Sequence, residues 1–338
     1  MKNTSGHIRR RALALPAAAA SAALVLSSCS AFDTNTSEAG ANYPSKPVTL
    51  TAPAEPGSGW DTTARALAET FDKEGLTDSA LPVQNRTGAT GCVWLNQMAN
   101  DMKGDAYNIA VTSTPILSNY LRGDCDTSYK DVTMIASLII EHYIVVTPDD
   151  APYTSLDDLL AEVKDDPQSV PVAASGDDQL PFALLVKAYG GDPSKINFVQ
   201  YEGGGEQITA MLNGDVTAAI AGVSEFRGQL ESGDLRGLAV LSDEGLESPL
   251  DDIPTAQSLG YDVTLANTRE IYGPPDMPAT AVEYWQGKLK DALATSTWKK
   301  LAERNQWEPL YLVGDELDTY LKDANAQIEQ GLRDTGAI

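Results

Sequence analysis

The chain has 338 residues, enough for two domains of ordinary size, each with its own core. Hydrophobic residues make up 42% and charged residues 21%, a globular composition that argues against disorder. The formal net charge is -24, from 48 acidic and 24 basic residues. So acidic a surface repels nucleic acid and anionic membrane faces, which excludes both as electrostatic partners.

The first 28 residues have the pattern of an export signal. A basic stretch ends at Arg11, an apolar run covers 12–26, and Ser27-Ser28-Cys29 follows. The apolar run is too short for a stable membrane span and is typical of a signal peptide. Four basic residues and no acid lie in this segment, so cleavage would leave 20 basic and 48 acidic residues, a charge of -28.

Leu-Ser-Ser-Cys resembles the lipobox of bacterial lipoproteins, in which the cysteine is acylated and becomes the first residue. We therefore expect a lipoprotein signal peptide at 1–28, a lipidated Cys29, and an exported chain anchored to the outer face of the cell membrane. Plain secretion, with cleavage near Ser30 or Ala31, is the alternative. Residues 29–42, rich in Ser, Thr, Asn, Ala and Gly, are predicted to be a flexible tether.

From residue 46 onward, short apolar runs alternate with longer amphipathic segments. The helix at 61–74 opens on an Asp-Thr-Thr cap, and helices to about 102 and 122 follow the next two strands. Strands separated by helices of this length indicate βαβ units and a parallel sheet. The apolar runs that predict strands here are 48–52, 81–85, 107–112, 132–137 and 142–146.

Two cysteines of the mature chain remain, Cys92 and Cys125. An export signal implies an oxidising compartment, where two thiols tend to pair. Closing a loop of this length is worth roughly 3–4 kcal/mol in the chain-entropy model. We expect a disulfide, and two separate buried thiols are the alternative.

A second unit begins after Pro148 with a helix start at 154–158, and the chain is mainly helical past 272–275. The pattern predicts two α/β lobes, each a mostly parallel sheet flanked by helices, with strands near residues 146 and 271 crossing between them. Lobe 1 would hold 43–146 and 272–338, and lobe 2 would hold 147–271. The predicted strands of lobe 2 are 170–174, 196–200, 216–221 and 235–240.

The sequence offers little for catalysis. His142 is the single histidine after the signal peptide, and its apolar strand pattern indicates a structural role. Without another histidine no Ser-His-Asp triad can be proposed, and no Cys/His set has metal-ligand spacing. Gly57-Ser58-Gly59 lacks the third glycine of a dinucleotide loop, and no Gly-Lys-Ser/Thr phosphate loop is present. We therefore predict a protein that is not an enzyme and has no cofactor.

Five strand-to-helix turns are rich in small residues. Such turns lie at the carboxyl ends of strands, where open α/β sheets bind ligands. Glycine allows close backbone approach, and free N–H groups at a helix start attract anions, each helix end contributing about 0.3–1 kcal/mol. Singly they are ordinary connections, but together they predict an anion-binding cleft between the lobes. These turns are 56–62, 85–91, 112–114, 175–178 and 201–206.

These same turns carry a family resemblance. From 43 to 338 the chain resembles the periplasmic solute-binding receptors of tripartite tricarboxylate transporters, in their tricarboxylate-binding branch. Thr87 and Thr90 stand where the family more often has proline and glycine, and Thr268 where it has tryptophan. The matching segments are 47–50 with 56–65, 85–91, 203–206 with 212–216, 265–269 and 273–275.

The resemblance implies a type II periplasmic-binding-protein fold with a ligand carboxylate in the cleft and no catalytic activity. It places the ligand against amides and hydroxyls of lobe 1, and residues of lobe 2 complete the binding site. The lobe 1 residues are Ser58, Gly59, Trp60, Asp61, Gly88, Ala89, Thr90, Gly91, Thr112, Ser113 and Thr114. The lobe 2 residues are Ser175, Gly204, Gly205 and Arg269.

Several of these residues have a structural alternative. Trp60 could be a packing residue of the cleft wall, and Asp61 could only cap its helix. Arg269 could form an ion pair with an acid such as Glu225 instead of the ligand. We interpret Glu206 as a first-turn helix residue.

The resemblance implies capture of citrate or a related tricarboxylate, by a monomer that works with membrane transporter subunits. Dicarboxylates, aromatic acids and amino acids are alternative ligands, and a ligand-sensing lipoprotein or a secreted hydrolase is an alternative function. No metal site is expected in the chain. A metal ion carried in with citrate would reconcile the ligand with the acidic charge.

Overall fold

The computed structural model describes residues 43–338, so the predicted signal peptide, Cys29 and the tether lie outside the described residues. Eleven strands and ten α-helices alternate along this range. The strands are β1 Thr49–Ala52, β2 Val83–Asn85, β3 Asn108–Thr112, β4 Thr133–Glu141, β5 Tyr143–Pro148, β6 Val172–Ala174, β7 Phe198–Gln200, β8 Ala218–Gly222, β9 Leu235–Val240, β10 Asn267–Gly273 and β11 Glu308–Pro309. The helices are α1 Gly59–Lys73, α2 Cys92–Asp101, α3 Pro115–Arg122, α4 Leu156–Asp165, α5 Gln179–Tyr189, α6 Gly204–Asn213, α7 Val223–Ser232, α8 Ala279–Ala294, α9 Ser296–Asn305 and α10 Gly314–Thr335.

Two sheets organise the described chain. The first has the strand order β11-β4-β10-β3-β1-β2 and the second the order β7-β6-β8-β5-β9. In each, three neighbouring strands are parallel, with β1 between β2 and β3 and β6 between β7 and β8. The α/β fold class is confirmed, with helices flanking both sheets.

Both sheets are mixed, whereas mostly parallel sheets were predicted. β10 runs antiparallel to β3 and β4, and β5 runs antiparallel to β8 and β9. These antiparallel strands are the ones next to the passages between the sheets. A strand that enters a sheet directly from the other one needs no helical crossover, so it is free to pair antiparallel.

The chain changes sheet at His142 and returns between Val240 and Asn267. The predicted boundaries at 146 and 271 therefore fall inside β5 and β10, a few residues after the passages that strand pairing shows. β4 and β5 are both apolar and only one residue separates them, so the sequence shows no break there. His142 contributes its imidazole to a 2.8 Å contact with Glu308 of β11, in keeping with a structural role.

The first sheet is buried against α1, α8 and α9 around the large side chains of Trp285 and Trp298, both 1% exposed. A second apolar cluster continues from α2 and α3 through α10 into α4 and α5 beside the second sheet. Helix α10 thus touches both halves: Tyr320 hydrogen-bonds Thr268 of β10, and Lys187 of α5 donates to the carbonyl oxygen of Asp334 at 2.9 Å.

Cys92 and Cys125 form a disulfide in the structure, with their Cα atoms 5.7 Å apart. The bond ties the first residue of α2 to the segment after α3. Both cysteines are buried, at 5% exposure each. The link therefore fixes the two helices that follow β2 and β3 at the cleft side of the first sheet.

Between residues 43 and 338, no helix is both long and apolar enough to cross a membrane.

Candidate functional site

A cleft opens where turns from the two sheets face each other. The cleft is narrow, because the centres of water-sized spheres fit into only about 40 Å³ of it. The first sheet contributes the turn after β1, Thr90 before α2, Pro115 of α3, and two residues of β10. The second sheet contributes the turns after β6 and β7 and the first turn of α7. The predicted meeting of strand-end turns thus occurs at this place.

Helix α1 points its amino end into the cleft. Ser58 is the N-cap residue, and its Oγ accepts a hydrogen bond from the Asp61 amide at 3.3 Å. The helix therefore begins at Gly59, two residues before the predicted start at Asp61. Its unpaired first-turn N–H groups and positive dipole end favour an anion at this wall.

Gly59 is held between two charged side chains. A Cβ atom there would lie 2.2 Å from Arg269 Nη2 and 3.2 Å from Glu225 Oε1. A side chain at this position would have to displace the Arg269 guanidinium. Close approach of the α1 backbone to Arg269 and Glu225 is therefore what requires a glycine at this position.

Asp61 has hydrogen-bond partners that give it a structural role. Its Oδ2 accepts hydrogen bonds from the Gly57 amide at 2.9 Å and from Arg65 at 2.8 Å, and its Oδ1 accepts from Asn85 at 2.9 Å. Burial alone raises the pKa of Asp61, but hydrogen bonds from Arg65, Gly57 and Asn85 outweigh it and lower the pKa below 3.8. Asp61 does not line the cleft; its carboxylate joins the turns after β1 and β2.

Trp60 forms part of the cleft wall and is 7% exposed. Its indole N–H donates to Ser113 Oγ at 2.9 Å, and a Cβ at Gly91 would lie 2.9 Å from the ring. The neighbouring Thr90 has a φ of 49°, in the left-handed region that favours glycine. Thr90 therefore holds a backbone conformation that glycine adopts more readily.

Arg269 lies at the base of the cleft and is 3% exposed. Its Nη2 pairs with Glu141 Oε2, and its Nη1 donates to Asn267 Oδ1 at 3.0 Å. Its Nε has no hydrogen-bond partner among the described residues. The ion-pair partner is thus Glu141, which also accepts hydrogen bonds from the amide and the hydroxyl of Ser224. Glu225, the alternative partner in the sequence, instead accepts from the Gly204 amide at 2.8 Å.

Carboxyl groups dominate the second wall. Asp177 and Asp178, 3% and 7% exposed, lie in the turn after β6, and Glu202 and Glu225 lie beside them. Burial, then repulsion from Asp177 and Glu225, raises the pKa of Asp178 well above its ordinary value. Burial, then Glu141, raises the pKa of Glu225 to about 7. Four carboxyl groups and one guanidinium therefore line this cleft.

The structure brings six of the fifteen predicted ligand residues to the cleft wall. They are Ser58, Gly59, Trp60, Thr90, Ser175 and Arg269. The others stand behind the wall or face elsewhere. They are Asp61, Gly88, Ala89, Gly91, Thr112, Ser113, Thr114, Gly204 and Gly205. Whether any of the fifteen touches the ligand stays a prediction.

The sequence reasoning missed the acidic side chains. Asp177, Asp178 and Glu202 lie in turns that had been selected for their small residues, so a signal was present. Glu225 was considered only as a partner of Arg269. Within residues 43–338, no group of three His, Cys, Asp or Glu side chains is placed to hold a metal ion.

Comparison with known proteins gives a consistent result. Residues 63–336 match the family model described as "Tripartite tricarboxylate transporter family receptor". "Protein BugT" of Bordetella pertussis is 26% identical over 303 residues, which cover 87% of this chain and 91% of that protein.

Two solved structures share the fold. The periplasmic binding protein BugD has a TM-score of 0.79 at 21% identity and covers 87% of this chain and 99% of its own. The R. palustris protein Rpa4515, solved with adipate, has a TM-score of 0.78 at 20% identity, with 87% of this chain and 99% of that chain covered.

Proposed function

Because the chain belongs to the family of tripartite tricarboxylate transporter receptors, we propose that it captures a small organic acid and delivers it to the membrane subunits of such a transporter. The resemblance found in the sequence is thereby confirmed. Members of this family are solute-binding receptors, so the chain is a receptor and not an enzyme. The periplasmic family also implies that the chain is exported.

The observation that carries the proposed ligand class is the position of Arg269. A buried guanidinium with an unpaired Nε lies at the cleft base, beside the amino end of α1. A carboxylate at this place receives the helix N–H groups and a charged N–H donor together. Rpa4515, which shares the fold, was solved with the dicarboxylate adipate.

Citrate or a related tricarboxylate remains the specific ligand proposed from the sequence. Free citrate carries three negative charges near neutral pH and would face Asp177, Asp178, Glu202 and Glu225. Unscreened like charges at short range disfavour binding. A citrate complex with a divalent cation has a lower charge and suits this cleft better, and the metal would arrive with the acid, since the described residues offer no metal site of their own.

We test the ligand class by calorimetry on the exported chain with citrate, malate, adipate and benzoate, each with and without magnesium. Binding of at least one acid is expected, and Arg269→Lys should weaken it about tenfold or more because lysine cannot reproduce the guanidinium geometry. Ligands at a hundredfold their dissociation constant should add about 2.7 kcal/mol to the free energy of unfolding. Failure of every acid to bind would refute the proposal.

We also propose that the protein is attached to the membrane through lipidated Cys29 and that it is a monomer. Cys29→Ser should move the protein from the membrane fraction to the soluble exported fraction and abolish its labelling by a fatty acid. Unchanged membrane fractionation of this variant would refute the lipid anchor. Light scattering of the purified receptor at rising concentration tests the monomer.

A further inference from the structure

We propose that Glu225 is an internal competitor of the solute: its carboxylate occupies the place that the solute carboxylate takes, so only an acid that displaces Glu225 is bound. The inference rests on the proposed function, because it assigns a selecting residue to the cleft that captures the acid. Its consequence is that small monocarboxylates such as acetate are refused, since they offer the cleft nothing that Glu225 does not already supply.

The position of the Glu225 carboxylate is the first argument. Its Oε2 accepts a hydrogen bond from the amide of Gly204, the first residue of α6, at 2.8 Å. Its Oε1 lies 3.2 Å from the point where a Cβ of Gly59, the first residue of α1, would stand. Helix α1 follows a strand of the first sheet and α6 a strand of the second. One carboxylate therefore lies at the amino ends of two helices from opposite walls, and such helix ends attract anions.

The two helix starts also meet beside this carboxylate. A Cβ at Gly203, the N-cap residue of α6, would lie 3.0 Å from the Cβ of Ser58, the N-cap residue of α1. Two amino ends at close range bring together two partial positive charges, which an anion between them stabilises. In the structure that anion is Glu225.

Helix α6 has no cap from its own start. Gly203 lacks a side chain, and α6 has no side-chain hydrogen bond at its N-cap, whereas α1 is capped by Ser58 and α4 by Ser155. The amide of Gly204 is instead bound by Glu225, 21 positions further along the chain. The sequence resemblance predicted Gly204 as a ligand contact. Glu225 thus holds the donor that the solute carboxylate was predicted to use.

The charges around Glu225 make it replaceable. Glu141 already pairs with Arg269, so Glu225 is a second acid beside a neutralised cation. Burial, then Glu141, raises the pKa of Glu225 to about 7, although Arg269 and the Gly204 amide act in the opposite direction. The ionised carboxylate is therefore disfavoured where it lies. Glu225 is only partly buried, so rotation of its side chain into water relieves this desolvation.

A larger acid gains a donor that Glu225 leaves unused. The Nε of Arg269 has no hydrogen-bond partner among the described residues, and Arg269 is 3% exposed at the base of the cleft. A solute that reaches this Nε as well as the Gly204 amide makes one more charged hydrogen bond than Glu225 does. Acetate replaces Glu225 only group for group. It also competes with a tethered carboxylate, whose effective concentration is on the order of millimolar or higher.

The size of the cleft agrees with a displacement. Its free space is about 40 Å³, whereas a cavity of about 150 Å³ holds one benzene molecule. Citrate is larger than benzene, so the walls must part or side chains must leave before it is bound. Departure of Glu225 clears the place where the starts of α1 and α6 converge.

Acetate tests the inference on the purified exported receptor. Glu225→Ala vacates the place of one carboxylate, and acetate is a carboxylate with a single methyl group. Acetate at about 100 mM should raise the Tm of Glu225→Ala by about 2 °C or more, compared with the same concentration of chloride. The wild type should show no such shift, because Glu225 excludes acetate.

Two further variants separate the place of the carboxylate from its charge. Glu225→Gln is uncharged but keeps an oxygen for the Gly204 amide, so acetate should not stabilise it. Glu206→Ala removes an exposed acid from the same first turn of α6 that does not line the cleft, and it should behave like the wild type. Thermal unfolding without acetate checks that each variant is folded.

Calorimetry gives a second measurement, with the acid that binds best among citrate, malate, adipate and benzoate. We expect Glu225→Ala to bind this acid about tenfold or more tightly than the wild type, because the competing carboxylate is absent. The isosteric Glu225→Gln should also bind it more tightly, because a neutral amide competes less well for the helix starts. Glu206→Ala should keep the wild-type affinity.

Three results would overturn the inference. They are equal stabilisation of the wild type and Glu225→Ala by acetate, no stabilisation of folded Glu225→Ala by acetate, and weaker binding of the best acid by Glu225→Ala or Glu225→Gln. With any of these, binding of an acid to the wild type still upholds the proposed function. If no acid binds the wild type or any variant, the proposed function fails together with the inference.

Discussion

Replacing Glu225 with glutamine should remove a pH-dependent loss of stability from the unliganded receptor. Glu225 projects into the cleft from the first turn of α7, between Glu141 and the turn that holds Gly204. Glutamine keeps an oxygen to accept the Gly204 amide hydrogen bond, now 2.8 Å long. The substitution therefore removes the charge with little change of shape.

The magnitude follows from the pKa. Burial and then Glu141 raise the pKa of Glu225 from 4.5 to about 7. Between these values the folded protein holds a proton that the unfolded chain has released, so the free energy of unfolding falls as pH rises, and the loss is complete above pH 7. At about 1.4 kcal/mol per pKa unit the full shift corresponds to about 3 kcal/mol. Part of the Glu225 surface is open to the cleft, so we expect about 2 kcal/mol.

Urea unfolding of the unliganded protein at pH values from about 5 to about 8 measures this difference. Glu225→Gln should lose about 2 kcal/mol less than the wild type over this range. Glu244→Gln, at an exposed position outside the cleft, is the matched control and should follow the wild type. If Glu225→Gln also follows the wild type at every pH, Glu225 ionises as an ordinary surface acid and the reasoning is refuted.

Three other predictions concern the same cleft. Arg269→Met should destabilise the protein by about 3–5 kcal/mol, measured by urea unfolding, because it leaves Glu141 buried without its cation. Adding Glu141→Gln to this variant should restore the stability. Calorimetry should show that the double variant still does not bind the ligand. Gly59→Ala should weaken ligand binding about tenfold or more by displacing Arg269, whereas Gly228→Ala on the open face of α7 should leave it unchanged. Stopped-flow association of an acid with net negative charge should accelerate as salt is raised from low ionic strength, since screening weakens repulsion by the predicted mature chain of charge -28; a rate that falls would contradict it.

Most of the fold was readable from local patterns. The apolar runs at β1, β3 and β5 and the amphipathic helices between strands are short-range signals, and all of these elements occur in the structure. The start of α1 was predicted at Asp61 because Asp-Thr-Thr is a typical helix cap. Ser58, with an acid three residues later, is also a capping pattern, and it is the one that begins the helix. The passage at His142 was hidden because apolar strands continue on both sides of it.

The charge pattern of the cleft depends on distant residues, which explains why it was not predicted. Glu141 and Arg269 are separated by 128 positions, and no local pattern relates them. Asp178 was visible in a small-residue turn, yet the turn was interpreted through its backbone donors. Its importance emerges only when folding brings Glu225 beside it. Sequence therefore located the cleft, and three-dimensional packing revealed its electrostatic character.

Helix α10 contacts both halves of the molecule. It packs on α3 and β4 of the first sheet and also on α5, where Leu180 lies against Gly331. Leu180 is two residues from Asp178, so the acidic turn is braced from behind by the carboxyl-terminal helix. An outward swing of the second sheet must preserve or shear this brace. If the second sheet swings outward, we therefore expect the cleft to widen on the side remote from α10 and the acidic turn to travel least.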